Sequence, residues 1–172
     1  MSETFLVLTV IGDDRPGLVG ELSAAIAAHQ GNWLESSMSH LSGKFAGIVK
    51  VAVPVAQAGA LQAALGSLAA LKVTAESSAE KSVPAGRRLK LALVGHDRIG
   101  IVREVSQVLA KHAVNVEKLE THTASAPMSA ETLFHAQAEL FAGADLDARV
   151  LKAELERLSD DLMVDITLDE TI

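Results

Sequence analysis

The chain has 172 residues and a net charge of −7, with apolar residues at 49% and aromatics at only 3%. It contains no cysteine, which excludes a disulfide framework, a thiolate metal cage and a thiol nucleophile. The negative balance excludes a fold-wide basic surface, so no direct nucleic-acid binding is expected. The opening MSETFLVLTVIGDDRPG has no basic n-region, which makes it a poor signal peptide. No run reaches the roughly 18 apolar residues of a membrane span. A soluble, cytoplasmic protein with no membrane partner is expected.

Thr4–Ile11 (TFLVLTVI) is an apolar, β-branched run. It predicts a strand buried on both faces or nearly so. After a Gly12–Gly17 loop, Leu18, Val19, Leu22, Ala25, Ile26 and His29 fall at helical spacing. They predict an amphipathic helix of about four turns. Asn32–Leu41 and Lys44–Val55 read as two strands around Ser42-Gly43, a hairpin signal. A second helix is expected at about Ala58–Leu71, then a strand at Lys72–Ser78. That helix is rich in alanine and carries Gly59 and Gly66, so close backbone packing or a frayed element is expected there. Glu80–Arg87, with Pro84 and Gly86, reads as a linker.

The same order then recurs. Leu89–Val94 repeats the first strand. Ile101, Val102, Val105, Val108, Leu109 and His112 repeat the first helix. Asn115–Thr123 and Glu131–Phe141 repeat the hairpin, with a longer connection, Ala124–Ala130, that holds Pro127. A helix at about Asp145–Asp160 and a strand at Leu162–Leu168 close the chain. The two halves align at a fixed offset of 83 residues, the separation of Asp14 and Asp97. From 12 to 32, ten of 21 positions are identical across that offset, whereas chance gives one or two. Two copies are too few for a solenoid, so the pattern is a duplicated small domain. The expected organisation is residues 1–79, a linker at 80–87 and residues 88–172. The order β-α-β-β-α-β in each half predicts an α+β protein of two ferredoxin-like modules. Each has an antiparallel four-stranded sheet with both helices on one face.

The repeated loop is where chemistry is expected. Gly12-Asp13-Asp14-Arg15-Pro16-Gly17 matches Gly95-His96-Asp97-Arg98-Ile99-Gly100. Pro16 suits a first helical turn. Gly17 there implies a close approach to the backbone where a Cβ would clash. The unpaired N–H groups of a helix start suit a carboxylate, and Asp13, Asp14 or Asn32 could accept from an ammonium group. A free α-amino acid fits that donor and acceptor set. A purely structural reading stands beside it. Asp14 and Asp97 would cap the helices or pair with Arg15 and Arg98, and Gly17 and Gly100 would permit tight helix–sheet packing. His29 and His112 read as half-buried residues bonding the last helical carbonyls.

No catalytic constellation or phosphate loop is present. Asp160-Asp161 sits at a helix end, where it caps or is solvated. A metal site on His96, His122 and His135 is the weakest alternative, since they could converge only if their strands are adjacent and the first half has no counterpart. No metal or cofactor is expected.

With DRPGLV and a second DRIGIV after the first strand of each βαββαβ half, the chain resembles the ACT domain family over essentially its whole length. The resemblance implies a non-enzymatic regulatory protein. Such modules bind small ligands, often amino acids, at interfaces between modules, and glycine or serine is the first choice here. Two-module members without a DNA-binding domain act through a DNA-binding activator protein, and a homo-oligomer is implied. Carried over residue by residue, the ligand-binding set is Asp13, Asp14, Arg15, Pro16, Gly17, Leu18 and Val19, with Asn32 on the following strand. In the second half it is His96, Asp97, Arg98, Gly100, Ile101 and Val102, with Asn115. There Ile99 replaces the proline and His96 an acid, which puts ligand binding at that loop in doubt. The same start also resembles the amino-terminal module of certain deformylases, which need a following catalytic domain that this chain's second half does not provide. The alternative is a module that serves protein–protein or self-association without any ligand.

Overall fold

The computed structural model describes residues 2–79, 82, 84–129 and 131–171. Glu80, Lys81 and Val83 of the expected linker, Ala130 of the expected connection, and the terminal Met1 and Ile172 lie outside the described residues. The chain divides into two compact units, Met1–Ser82 and Val83–Ile172, called module 1 and module 2 below.

Module 1 runs β1 (Glu3–Asp13), α1 (Leu18–Ala28), β2 (Asn32–Leu41), β3 (Lys44–Pro54), α2 (Val55–Gly66) and β4 (Leu71–Ser78). Module 2 runs β5 (Gly86–His96), α3 (Ile101–Lys111), β6 (Asn115–Ser125), β7 (Thr132–Gly143), α4 (Ala148–Leu162) and β8 (Val164–Thr171). The sheet orders are β2-β3-β1-β4 and β6-β7-β5-β8, with every pair antiparallel. Each module is thus a βαββαβ ferredoxin-like unit.

In β1, Leu6, Leu8 and Val10 are fully buried while Thr9 and Ile11 are exposed. The expectation of burial on both faces is therefore corrected. The run is continuous in apolarity, but only every second side chain meets the core, as the two-residue period of a strand requires. The buried face collects Leu18, Leu22 and Ile26 from α1 and Leu61 and Leu65 from α2. In module 2 the same layer is Leu89, Leu91 and Leu93 with Ile101, Val105, Leu109, Leu151 and Leu155. Both helices of each module cover one sheet face, and the other face is open.

Some boundaries differ from the sequence pattern. α1 has 11 residues, about three turns rather than four. α2 begins at Val55, directly after Pro54, and ends at Gly66. Its alanines carry no periodicity that marks where it stops. A Cβ at Gly59 or Gly66 would meet nothing within 4 Å, so neither marks a close packing contact. β5 starts at Gly86 and pairs that residue with Gly143 and Arg87 with Ala142. Gly86 and Arg87 therefore belong to the sheet rather than to a linker. Arg87 is held there by Glu170 (Nε–Oε1 2.6 Å, Nη2–Oε2 2.8 Å) and by the Leu146 carbonyl.

Candidate functional site

The β1–α1 loop emerges at the end of the sheet where β2 turns into β3. Asp13 pairs in register with Lys44, and Ser42 and Gly43, both at positive φ (49° and 77°), make the tight turn between the strands. The Asp14 N–H donates to the Gly43 carbonyl (2.9 Å), and in module 2 the Asp97 N–H donates to the Thr132 carbonyl (3.0 Å). Each loop is therefore stapled to its neighbouring hairpin before the helix begins.

The helix then starts at a left-handed residue. Gly17 has φ 95° and Gly100 has φ 94°, a region that costs an L-residue roughly 1–2 kcal/mol. A Cβ on Gly17 would meet nothing nearer than Arg15 Nη1 at 3.8 Å. The glycine is thus required by backbone conformation, and the expected close approach at Gly17, or tight helix–sheet packing, is corrected. Close approach belongs instead to the first glycine of the motif. A Cβ on Gly12 would overlap the Ala70 carbonyl oxygen, and one on Gly95 would overlap Val164. Pro16 lies just outside α1, ahead of Gly17, not in its first turn.

Neither aspartate caps a helix, since neither α1 nor α3 has a side-chain cap. Nor do they take the arginines. Arg15 Nη2 donates to both oxygens of Glu21 (2.7 and 3.0 Å) and Arg98 Nη2 to Glu104 (2.6 Å). The first bonds back into the helices are Glu21 N–H to Gly17 (2.9 Å) and Glu104 N–H to Gly100 (3.0 Å). That leaves the N–H groups of Leu18, Val19 and Gly20, and of Ile101, Val102 and Arg103, as the donors a helix start offers outward. The dipole adds partial positive charge at the same place.

The other sequence-predicted residues separate by role. Leu18 and Ile101 are each 3% exposed. Their side chains anchor the helices in the core, and only their backbone reaches the loop. Val19 and Val102 are half exposed, and Ile99 is fully exposed. Asp13 is ion-paired with Lys44, whose hydrogen bond and charge lower the Asp13 pKa. In module 2 the corresponding His96 lies 3.6 Å from Glu131.

Asn32 and Asn115 do not join this site within their own modules. Asn32 is in register with Ala52, which pairs with Phe5. That row is eight residues along β1 from Asp13, roughly 26 Å at the rise of a strand. Asn115 stands in the same row of module 2, opposite Phe141. The hairpin contributes its turn end instead. His40 Nε2 lies 3.6 Å from Asp14 Oδ2, and Lys44 meets Asp13. Both were missed from sequence, although counting back from the Ser42-Gly43 turn places them beside the end of β1. The expectation for the terminal histidines holds in one module. His29 Nδ1 bonds the Ala25 carbonyl (2.8 Å), but His112 Nε2 instead meets Glu154, which Lys111 also contacts.

A family model described as ACT domain matches residues 4–76. Among solved structures, an unknown protein from Galdieria sulphuraria is similar over 99% of this chain and 100% of its own, at 32% identity and a TM-score of 0.90. A protein provisionally named as a glycine cleavage system transcriptional repressor is similar over 99% of both chains, at 17% identity and a TM-score of 0.70. A formyltetrahydrofolate deformylase from Burkholderia mallei is matched over 49% of this chain and 28% of its own, at 21% identity and a TM-score of 0.41. No curated protein matches the chain. No described helix is long and apolar enough to cross a membrane.

Proposed function

The chain belongs to the ACT-domain family, and from that premise we propose that it is a non-enzymatic regulatory protein that senses a small amino acid at the β1–α1 loop and acts on transcription through a partner protein. One observation carries this reading: both first helices begin without a side-chain cap. Fixed N–H donors at a positive dipole end take a carboxylate without reorganising. In module 1 the Asp14 carboxylate stands at the same loop to accept from an ammonium group, and the stapling to Gly43 holds it there. Module 1 is the better site, because module 2 has His96 and the exposed Ile99 where module 1 has Asp13 and Pro16.

The protein provisionally named as a glycine cleavage regulator shares the fold at full length, which makes glycine and serine the first ligands to try. The net charge of −7 fits control exerted through a separate DNA-binding activator, in a homo-oligomer. The test is a thermal-shift screen with the twenty amino acids. A ligand at 100 times its Kd stabilises by about 2.7 kcal/mol, so a saturable rise in Tm with one of them is expected. No rise with any of them sinks the sensing reading.

The second reading, an association module without ligand, is favoured by β6. Every residue of that edge strand is exposed, and an open edge is a template for pairing. It predicts a stable assembly by sedimentation whose mass no amino acid changes.

A further inference from the structure

The open face of module 2 carries a feature with no counterpart in module 1. His122 on β6 and His135 on β7 are direct cross-strand partners. Their imidazoles are stacked, with centroids 4.7 Å apart and planes 2° from parallel. Directly opposed residues on one sheet face have Cβ atoms only about 4.5–5.5 Å apart, so the register enforces the proximity. Beside the pair is an open hollow of about 320 Å³, lined by Ala92, Val94, Glu120 and Gln137 together with the two histidines. Module 1 has Ser39 opposite Ala46 at the corresponding places.

We propose that His122 and His135 form a two-histidine site for a late first-row divalent metal ion of the Zn²⁺, Cu²⁺ and Ni²⁺ class. Imidazole nitrogen suits these ions, whereas Mg²⁺ and Ca²⁺ select oxygen ligands. Two ring nitrogens on one tetrahedral ion stand about 3.4 Å apart at metal–nitrogen distances near 2.1 Å. Stacked rings reach that by tilting toward each other at one edge, with no change in the backbone. Among the described residues no third His, Cys, Asp or Glu completes the set, so water fills the remaining positions. Glu120 and Gln137, on the same hollow, are placed to hydrogen-bond that water, as groups around a metal commonly do. His96 stays outside the pair, opposite Leu133 in the register and 3.6 Å from Glu131. A bound ion would tie the exposed edge strand β6 to β7.

The experiment is calorimetric titration of Zn²⁺ into the untagged full chain, with the electron paramagnetic resonance spectrum of one added equivalent of Cu²⁺ as a second readout. The site predicts one saturable equivalent of Zn²⁺. It also predicts a Cu²⁺ signal split by two equivalent nitrogens, read on the unaltered protein whatever the variants do. H122A or H135A should weaken Zn²⁺ by about tenfold or more. Four other histidines (29, 40, 96 and 112) remain in both variants. Absence of a saturable equivalent, a copper signal without the two-nitrogen pattern, or unchanged Zn²⁺ affinity in both variants would each overturn the proposal.

Discussion

Gly17 and Gly100 differ by one degree in φ and open helices of 11 residues each, yet the two modules present different chemistry around them. On the open face, module 1 carries Glu35, Lys50, Val7 and Glu76 in one row, with Thr9, Ile11 and Ile48 further toward the loop. Module 2 has Lys118, Glu139, Lys90 and Asp169 in the matching row, so a lysine replaces Val7, and four residues further along the strands it carries the His122–His135 pair where module 1 has Ser39 and Ala46. The identities kept across the offset are mostly those the backbone needs. Gly12 and Gly95 let a neighbouring strand approach. Gly17 and Gly100 supply the left-handed turn. Arg15–Glu21 and Arg98–Glu104 brace the loop, and Ser23 and Ser106 each bond a carbonyl three residues back. Repetition therefore reports on fold, and differences in function are to be sought where the copies part.

Four perturbations sharpen that comparison. The largest effect is expected from the packing glycines. Gly12→Ala and Gly95→Ala each introduce an overlap worth roughly 1–3 kcal/mol. The two costs should be similar, because the Ala70 carbonyl oxygen at Gly12 and the Cβ and Cα of Val164 at Gly95 are both fixed to the backbone and cannot swing away. Urea unfolding checks both losses. Next come Gly17→Ala and Gly100→Ala, each expected to cost about 1–2 kcal/mol. Their backbones match and neither new methyl clashes, so a clear gap between them would break the equivalence of the two loops.

Acid should act unequally. Hydrogen bonds from Lys111 and His112 hold the Glu154 pKa down to about 2. A depressed carboxylate contributes stability that is complete above its ordinary value and is lost as pH falls through the folded one. Module 2 should therefore lose this contribution between about pH 4.5 and 2. Glu154→Gln should flatten that limb of an acid-unfolding curve followed by module 2 amide signals. In module 1 the lowered carboxylate is Asp13, whose side chain is 86% exposed, so its acid response should be shallower. The smallest effect is expected from Arg15→Ala and Arg98→Ala. These break solvent-exposed pairs worth about 0–1 kcal/mol, and a larger loss would mean that the arginines do more than brace the loop.

The fold was legible because several signals agreed. Ser42-Gly43 between alternating segments placed β2 at its observed bounds, and the offset carried that assignment into module 2. α2 was displaced because Ala, Gly and Leu fill its whole circumference, and only contact with the sheet selects Leu61 and Leu65 as the buried pair. At the site, the loop was legible but the close approach expected at Gly17 belongs to Gly12, since sequence does not distinguish a need for space from a need for positive φ. Asn32 is expected at the loop from the resemblance, although it starts the strand whose far end reaches it. Arg15–Glu21 and His112–Glu154 depend on where a helix turns its side chains, which no short motif encodes.

The proposed seat of an amino-acid carboxylate at the uncapped start of α1 is tested by titrating isotope-labelled protein with glycine and with serine, following backbone amide resonances. Saturable shifts are expected at Leu18, Val19 and Gly20, with smaller or no shifts at Ile101, Val102 and Arg103. Shifts confined to other regions, or none with any amino acid, would contradict that seat.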